Sequence, residues 1–426
     1  MEDSEQRMSD LMKKLQKDRL ITITIGKNNK PIQIQQETLE AASTWFTAAL
    51  RHHTFVEGQN AKLNFPDDCH DVWSLFVYWM INHDFAVYVK NEESLKLAQQ
   101  CWIFGDKYDI KRFQNEAMLK IICYFDGTNI HPWSQERINA TLEFCPSGSP
   151  LGRVVAEEVA QCIHSGHMTW DMTYPATTQH IRSRSKTEQG MADSKQHVTK
   201  SLQTQDQLSK ITIGIDGSPP IYIQQRTLES VAPWLENALM RDTFIEGQTG
   251  ALHFPVDDQE AWQVLVYWIM TREVAIELTG TMKERARSCI LCAKCWVLGD
   301  KYDIPVFQNG VMAILLSHFL PEYTHQLPRK ALNQILKACP PDSKLAEHFA
   351  FAIVEEMEFK RIDWPELRSM DVGHIWSSFC KAQEDLDCGE GYRSHDFKAP
   401  TFKQSRGGRF MVGDKVMAGV QNKEHV

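Results

Sequence analysis

The sequence predicts a mixed α/β protein of the α+β type, built from two tandem copies of one unit. Two observations predict this class: a long internal repeat, and in each copy an alternating apolar pattern typical of a β-hairpin followed by apolar segments of helical periodicity. We therefore expect each copy to form a small β-sheet capped by a cluster of α-helices. The 426 residues are enough for two or three domains.

The repeat is clearest in two segments that recur in the same order. Residues 101–115 read CWIFGDKYDIKRFQN and residues 295–309 read CWVLGDKYDIPVFQN, which is identity at 11 of 15 positions. TFVEGQ at 54–59 recurs as TFIEGQ at 243–248. The offset is 194 residues for the first pair and 189 for the second, so an intervening loop differs by five residues. A loop that tolerates insertion lies at the surface.

The repeat divides the chain into five segments. An amphipathic helix is expected over 1–17, the first repeat over 18–168 and the second repeat over 208–362, each repeat ending in a helical extension. Residues 169–207 are rich in Ser, Thr, Gln and Lys, a composition typical of a flexible linker. Residues 363–426 are expected to form a mostly disordered tail.

Each repeat begins with the pattern of a β-hairpin. Ile21, Ile23 and Ile25 alternate with polar residues, and Ile32 and Ile34 continue the alternation after a glycine-containing turn. The second copy repeats this pattern at Ile211, Ile213, Ile215, Ile221 and Ile223. After the first hairpin we expect a helix over 39–50, a turn at 57–58 and a short strand ending at 65–66. A helix through 73–80 should follow. Three more helices are expected over 95–104, 110–125 and 136–144, with a break at 105–106 between the first two.

Two pairs of adjacent aspartates precede apolar helices in the two repeats. Asp67-Asp68 and Asp257-Asp258 stand where a carboxylate would accept hydrogen bonds from the free N–H groups of a helix N-terminus. Acid/base catalysis or a hard cation site would need further side chains that converge on the same point. We therefore interpret these aspartates as helix caps.

Three cysteines in the second repeat have the spacing of an iron-sulfur motif. Cys289, Cys292 and Cys295 form C-x-x-C-x-x-C, but Gly299 stands where the fourth ligand would be. The aligned residues of the first repeat are Leu95, Ala98 and Cys101, two of which cannot bind a metal. We interpret the cysteines as small buried side chains and keep a metal or redox role as a remote alternative. The sequence predicts no catalytic, cofactor-binding or metal-binding residue, and it contains no phosphate-binding loop, H-E-x-x-H or G-x-S-x-G motif.

Charge and hydropathy exclude two classes of partner. The formal net charge is -9, and the basic stretches at 182–186 and 406–409 are too short to form a nucleic-acid surface. The longest apolar runs have seven residues, too few to span a membrane. Eleven cysteines, most of them in apolar segments, suggest a reducing compartment. We expect an intracellular protein of the cytoplasm, the nucleus or both, which binds neither nucleic acid nor membranes.

The order of these elements and their anchor residues resemble a BTB/POZ domain of the type abundant in fungi, present here twice. The resemblance covers about two thirds of the chain. Such domains are not enzymes; the resemblance implies a protein-interaction scaffold that acts through homo- or hetero-association. The anchors are Phe55–Gly58, Phe65–Asp68, Val72–Met80 and Gly105–Tyr108, and in the second copy Phe244–Gly247, Phe254–Asp258, Ala261–Met270 and Gly299–Tyr302.

The resemblance also implies a second function, the substrate adaptor of a cullin-type ubiquitin ligase. In such adaptors the docking feature is a hydrophobic-x-acidic triplet, which here corresponds to Phe55 with Glu57 and to Phe244 with Glu246. An aromatic anchor beside an orienting charge is typical of protein-binding sites. The alternative interpretation is that the phenylalanines cap the core and the glutamates support the turn that follows.

The residues before the first repeat carry one apolar stripe. Met8, Leu11, Met12 and Leu15 have the spacing i, i+3, i+4, i+7 of a helix face. In dimeric members of the resembling family an N-terminal helix packs against the partner subunit, so this stripe could support a dimer. The alternatives are that the helix packs on its own domain or frays. The two repeats could pair within one chain or between two copies.

Overall fold

The computed structural model describes residues 2–26, 31–51, 56–127, 144–146, 148–164, 207–214, 219–240, 245–318 and 326–387. These residues form a mixed α/β structure with two three-stranded sheets, and the predicted α/β class is confirmed at this level. The chain separates into two compact units. The first unit is Asp18–Leu208, and the second unit combines Met1–Lys17 with Ser209–Val426. The second unit is therefore discontinuous in sequence, with the first inserted into it.

The first unit is built on a three-stranded sheet in which β1 (Leu20–Ile25) lies between β2 (Ile32–Gln35) and β3 (Lys62–Phe65). β1 pairs antiparallel with β2, with Ile23 opposite Ile32, and pairs parallel with β3, with Ile23 opposite Leu63. The alternating isoleucines of β1 are buried, as the pattern predicts. The elements are β1 Leu20–Ile25, β2 Ile32–Gln35, α2 Gln36–Ala42, α3 Thr44–Ala49, α4 Val56–Asn60, β3 Lys62–Phe65, α5 His70–Asn82, α6 Glu92–Lys107, α7 Lys111–Gly127 and α8 Pro150–His164.

Aromatic side chains fill the core of the first unit. Trp73 and Phe76, both from α5, are fully buried. The ring centroid of Trp73 lies 5.2 Å from that of Phe104 on α6, and the centroid of Phe76 lies 5.5 Å from that of Phe113 on α7. Large rings in edge-to-face or tilted contact bury much apolar area at low conformational cost. This cluster joins α6 and α7 to α5.

The second unit repeats this plan and adds an N-terminal helix and a longer helical extension. Its sheet has the order β5-β4-β6, with β4 parallel to β6. The elements are α1 Glu2–Leu15, β4 Leu208–Ile213, β5 Ile221–Gln224, α9 Gln225–Glu229, α10 Pro233–Leu239, α11 Ile245–Thr249, β6 Ala251–Phe254, α12 Gln259–Thr271, α13 Met282–Lys301, α14 Pro305–His318, α15 Arg329–Ala338, α16 Lys344–Glu358, α17 Trp364–Arg368, a 3-10 helix Val372–Ile375 and α18 Trp376–Asp387. Within the described residues, we find no helix with the length and apolar content needed to cross a lipid bilayer.

The predicted end of the second repeat at 362 is wrong, because folded structure continues to residue 387. Asp363 caps α17 by accepting a hydrogen bond from the Glu366 amide at 2.8 Å. Ile375, Phe379 and Ala382 follow at spacings of four and three residues and are buried in the core of the unit. The expectation of a disordered tail therefore fails for 363–387. The remainder, 388–426, lies outside the described residues, as do 165–206 of the predicted linker.

Several element boundaries also differ from those predicted. The helix expected over 39–50 is two helices, because Ser43 is extended and caps α3 by accepting a hydrogen bond from the Trp45 amide at 2.9 Å. The turn expected at 57–58 is the short helix α4. Gly105-Asp106 lies inside α6, and the chain reverses instead at Asp109, whose φ is 52°. All but the last residue of the helix expected over 136–144 lies outside the described residues.

Candidate functional site

The N-terminal helix α1 packs on the second unit, against β5 and α12. Met8, Leu11 and Leu15 are buried in the core of that unit, and Met12 is half-buried against it. The four residues of the predicted stripe are thus the residues that face the unit. The helix precedes the first repeat but belongs to the second, an arrangement that the sequence alternatives did not include. Only residues 16–19 separate α1 from β1 of the first unit.

Polar contacts orient the N-terminal part of α1 on the second unit. The Ser4 hydroxyl donates to the carboxylate of Glu277 at 2.6 Å, and Arg7 donates to the Ser4 hydroxyl at 3.3 Å. Glu5 forms an ion pair with Arg287 of α13 at 3.3 Å, and both side chains are about half exposed. Exposed ion pairs contribute little to stability, so these contacts mainly orient the helix.

A cleft of about 70 Å³ remains beside the C-terminal end of α1. The residues that line it come from β4, from β5 and the segment just before it, from α12 and from the end of α1. The apolar lining residues are Met12, Ile211, Ile213, Pro219 and Ile221, and the polar ones are Gln16, Gln259 and Gln263. The groove that holds α1 is therefore longer than the apolar stripe that fills it.

The two hydrophobic-x-acidic triplets are only partly within the described residues. Phe55 and Phe244 lie outside them. Glu57 is exposed on α4, Glu246 is half-buried on α11, and Ile245 is 73% exposed. In each triplet at least one side chain is therefore exposed at the start of a short helix, Glu57 on α4 and Ile245 on α11.

Close packing explains the glycine that follows Glu57. A Cβ atom on Gly58 would lie 2.7 Å from the carbonyl oxygen of Arg51 and 2.8 Å from that of Leu50. In addition, Arg19 donates to the Gly58 carbonyl oxygen at 2.6 Å. The Glu-Gly pair therefore marks the place where α4 meets the end of α3, and this packing is a structural reason for the repeated motif.

A carboxylate with three donors occurs at the same place in both units. Asp68 accepts hydrogen bonds from the Trp73 indole at 2.9 Å, the Lys107 ammonium at 2.7 Å and the Tyr108 hydroxyl at 2.6 Å. Burial by itself would raise the pKa of Asp68, but the three donors hold the pKa below its ordinary value. Burial, followed by the bond to Asp68, raises the pKa of Tyr108 to about 12. The second unit repeats this arrangement with Asp257, Trp262, Lys301 and Tyr302.

This cluster corrects the interpretation of the aspartates as helix caps. Asp258 does cap α12, accepting from the Ala261 amide at 3.0 Å. Asp68 and Asp257 do not cap, because their carboxylates bind the cluster donors, and the N-cap residue of α5 is Cys69, which makes no side-chain cap. A carboxylate held by three donors with a lowered pKa is a poor proton acceptor, which also argues against acid/base catalysis here.

Each cluster lies beneath a partly exposed tryptophan that the sequence analysis did not select. Trp45 is 38% exposed and Trp234 is 42% exposed. The ring centroid of Trp45 lies 5.0 Å from that of Tyr108, and the centroid of Trp234 lies 4.9 Å from that of Tyr302. The repeat could have identified these two residues, because Trp45 and Trp234 stand at aligned positions.

The cysteine motif lies inside α13 and is buried. Cys289, Cys292 and Cys295 are free thiols with almost no exposed surface. Burial raises the pKa of Cys289 to about 12 and raises the pKa of Cys292 and Cys295 well above the ordinary value. Metals bind the thiolate, so this environment disfavours a metal site. In the part of the chain that the structure describes, no three His, Cys, Asp or Glu side chains are grouped to hold a metal ion.

Comparison of the sequence with models of known protein families finds no match, and comparison with curated proteins finds no relative.

Proposed function

We propose that this protein is a non-enzymatic interaction scaffold of two BTB/POZ-like units, in which one chain supplies both an N-terminal helix and the surface that holds it. The order of elements in each unit, a hairpin, short helices, a third strand and an apolar helix, agrees with the order that the resemblance implies. The observation that carries the proposal is the position of α1, which adjoins the first repeat in sequence and buries its stripe in the second unit.

The position of α1 favours a helix that is held within one chain over a helix that is exchanged between two chains. In dimeric proteins of the resembling family, the N-terminal helix packs on the partner subunit. Here the second repeat provides the surface that a partner subunit would otherwise provide. One chain thus supplies both the helix and its binding surface. Other proteins would bind to the remaining surface of each unit.

Light scattering during size-exclusion chromatography tests this proposal. We expect the full chain to have the mass of one copy, 49.0 kDa, over a wide range of concentrations. A stable two-chain mass would contradict this proposal. Leu11→Asp places a charge in the buried face of α1 and should displace the helix. The apolar surface that α1 covers on β5 and α12 would then be exposed, and the variant should associate in a concentration-dependent way. Lys13→Asp, on the exposed face, is the matched control and should keep the one-chain mass.

A second candidate function, the cullin adaptor, is favoured by the triplets. The exposed Glu57 and Ile245 lie at the starts of two equivalent helices, where a partner could reach them. Co-purification with a cullin scaffold tests this function. Capture that is lost when Phe55→Ala and Phe244→Ala are combined would support an adaptor. If the unmodified chain captures no cullin while keeping its one-chain mass, the adaptor function is rejected and the scaffold proposal stands.

A further inference from the structure

Exposed apolar side chains of the second unit lie on three neighbouring elements. Val256 in the turn after β6 is 83% exposed, Ile245 at the start of α11 is 73% exposed, and Met240 at the end of α10 is 47% exposed. α10 contacts α11, and α11 contacts β6. The half-exposed Trp234 of α10 lies over Phe254 of β6, with 6.1 Å between the ring centroids. We call the four exposed side chains the apolar patch; soluble proteins seldom expose such a group unless the surface binds something.

The first unit has charged side chains at two of these positions. Arg51 stands where the second unit has Met240, and Asp67 stands where it has Val256. Both charged residues are exposed. The apolar patch therefore distinguishes the second unit from the first, and so does the segment that binds to it.

Two acidic side chains flank the apolar patch. Glu236 is exposed on α10, four residues before Met240, and Glu246 is half-buried on α11, next to Ile245. Among the residues that the structure describes, neither carboxylate has a hydrogen-bonding partner or an ion pair. Carboxylates without a partner beside exposed apolar side chains favour a segment that is both basic and apolar.

The C-terminal part of the chain contains a segment with this chemistry. Residues 397–413 carry four basic side chains and no acidic one, and the apolar run Phe410-Met411-Val412 follows Arg409 directly. The last described helix, α18, ends at Asp387, and residues 388–405 lie between it and Arg406. A fully extended chain of that length spans about 60 Å. Because a compact unit of this size is roughly 40 Å across, the segment can reach any face of its own unit.

We propose that residues 406–412 bind the apolar patch of the second unit, with the two arginines at Glu236 and Glu246 and the three apolar residues against the patch. Because Ile245 and Glu246 belong to the second hydrophobic-x-acidic triplet, the bound segment covers that triplet and leaves the first one open. A protein that uses the second triplet must displace the segment first. This inference goes beyond the scaffold function and does not depend on it.

Photo-crosslinking in the full chain tests this contact. On illumination, benzoylphenylalanine in place of Phe410 inserts into a C–H bond within its reach, and mass spectrometry identifies the linked peptides. We expect links to peptides from residues 234–256 of the same chain, which a mixture of isotope-labelled and unlabelled chains distinguishes from links between chains. Met240→Arg combined with Val256→Asp gives the second unit the charged residues of the first. This variant should lower the yield of the link about tenfold, because the apolar surface is lost.

Charge reversal tests the two ion pairs. Glu236→Lys combined with Glu246→Lys should lower the yield of the link about fivefold, because the basic segment is then repelled. Adding Arg406→Glu and Arg409→Glu should restore the yield. Glu358→Lys, at an exposed glutamate of α16, is the matched control and should leave the yield unchanged.

Three results would overturn the proposal. These are links only to other parts of the unit, links only between two chains, and an equal yield in the variant that carries Met240→Arg and Val256→Asp. All the substitutions in the second unit are at exposed or half-buried surface positions, and circular dichroism should confirm that each variant keeps its fold. The crosslink is independent of solution mass and of cullin capture, so this proposal and the proposed function can fail separately.

Discussion

At the residue scale, the repeated Asp-Trp-Lys-Tyr cluster is the strongest polar feature of each unit. Asp68 receives three hydrogen bonds, and its neighbours come from α5 and from the end of α6. The cluster therefore joins the turn after β3 to two helices. The same residues recur 189 to 194 positions later, which explains why GDKYDI is the clearest part of the repeat.

Removing the carboxylate charge should destabilise the first unit. We predict that Asp68→Asn lowers the free energy of unfolding by about 2 kcal/mol, because the charge-assisted hydrogen bonds are lost and an amide NH2 donor replaces one of the two accepting oxygens. Because the pKa of Asp68 is lowered in the folded state, its contribution is full above the unfolded pKa of about 4 and is lost as the pH falls below it. Urea unfolding measures both effects. Asp67→Asn, at an exposed position, is the control and should change stability little.

Asp18, the first residue of the first unit, should have the opposite pH dependence. Its carboxylate accepts from the amides of Arg19 at 2.8 Å and Glu37 at 3.2 Å, and burial raises its pKa to about 6, with nearby Glu40 adding to the shift. Between pH 4 and 6 the folded state binds the proton more tightly than the unfolded state. The free energy of unfolding should therefore decrease as the pH rises through this window, by at most about 3 kcal/mol.

The comparison of Asp18→Asn with the unmodified chain isolates this contribution. In urea unfolding between pH 4 and 7, the variant should lose the decrease that Asp18 causes. The exposed Asp84→Asn is the control and should keep it. Identical pH profiles for Asp18→Asn and the unmodified chain would contradict the assignment.

At the scale of elements, the joint between α6 and α7 depends on a glycine. A Cβ atom on Gly105 would lie 2.8 Å from the Cβ atom of Gln114, and the Ile110 amide donates to the Gly105 carbonyl at 2.7 Å. The second unit has the same close approach between Gly299 and the Gln308 side chain, at 2.7 Å. Small residues at such crossings let two helices approach closely, and any larger residue forces them apart.

We predict that Gly105→Ala or Gly299→Ala destabilises the unit that contains it by about 1–3 kcal/mol, because an overpacked core must shift its backbone. Gly373→Ala is the matched control, since no atom outside its immediate neighbours lies within 4 Å of its added Cβ. Thermal unfolding followed by circular dichroism measures the difference. An alanine at 105 that leaves the transition unchanged would show that the two helices can separate without cost.

Local patterns predicted the elements whose periodicity is strong. The alternating isoleucines of β1 and the apolar run of α5 were sufficient to predict a strand and a helix, because the spacing of buried residues differs between the two. The short helix α4 was mistaken for a turn because Glu-Gly is also a turn signal. The helices after 362 were missed although Asp363 and the later spacing of Ile375, Phe379 and Ala382 indicate them.

Contacts between distant segments could not be predicted in the same way. The spacing of Asp68 before α5 resembles a cap, and only the fold brings Lys107 and Tyr108 to its carboxylate. The stripe of α1 showed that one face of the helix would be buried, but not against which surface. Periodicity is a local property, whereas the binding partner of a face depends on the whole fold.

At the scale of the whole molecule, one unit is continuous in sequence and the other is not. The first unit is inserted between α1 and the rest of the second unit, so the chain passes from one unit to the other after Lys17 and returns at Ser209. This topology places the N-terminal helix and the surface that it covers in one unit of the same chain.

A chemical crosslink tests the position of α1 most directly. Because the Ser4 hydroxyl lies 2.6 Å from the carboxylate at the end of the longer Glu277 side chain, Ser4→Cys and Glu277→Cys should be joined by a short bismaleimide crosslinker, which spans a wider gap than a disulfide does. The control pair, Ser9→Cys with Glu277→Cys, places the first cysteine on the exposed face of α1 and should not react. Non-reducing electrophoresis and peptide mass spectrometry should find the Ser4–Glu277 link within a single chain; a link only between two chains, or none, would contradict the packing of α1 on the second unit of its own chain.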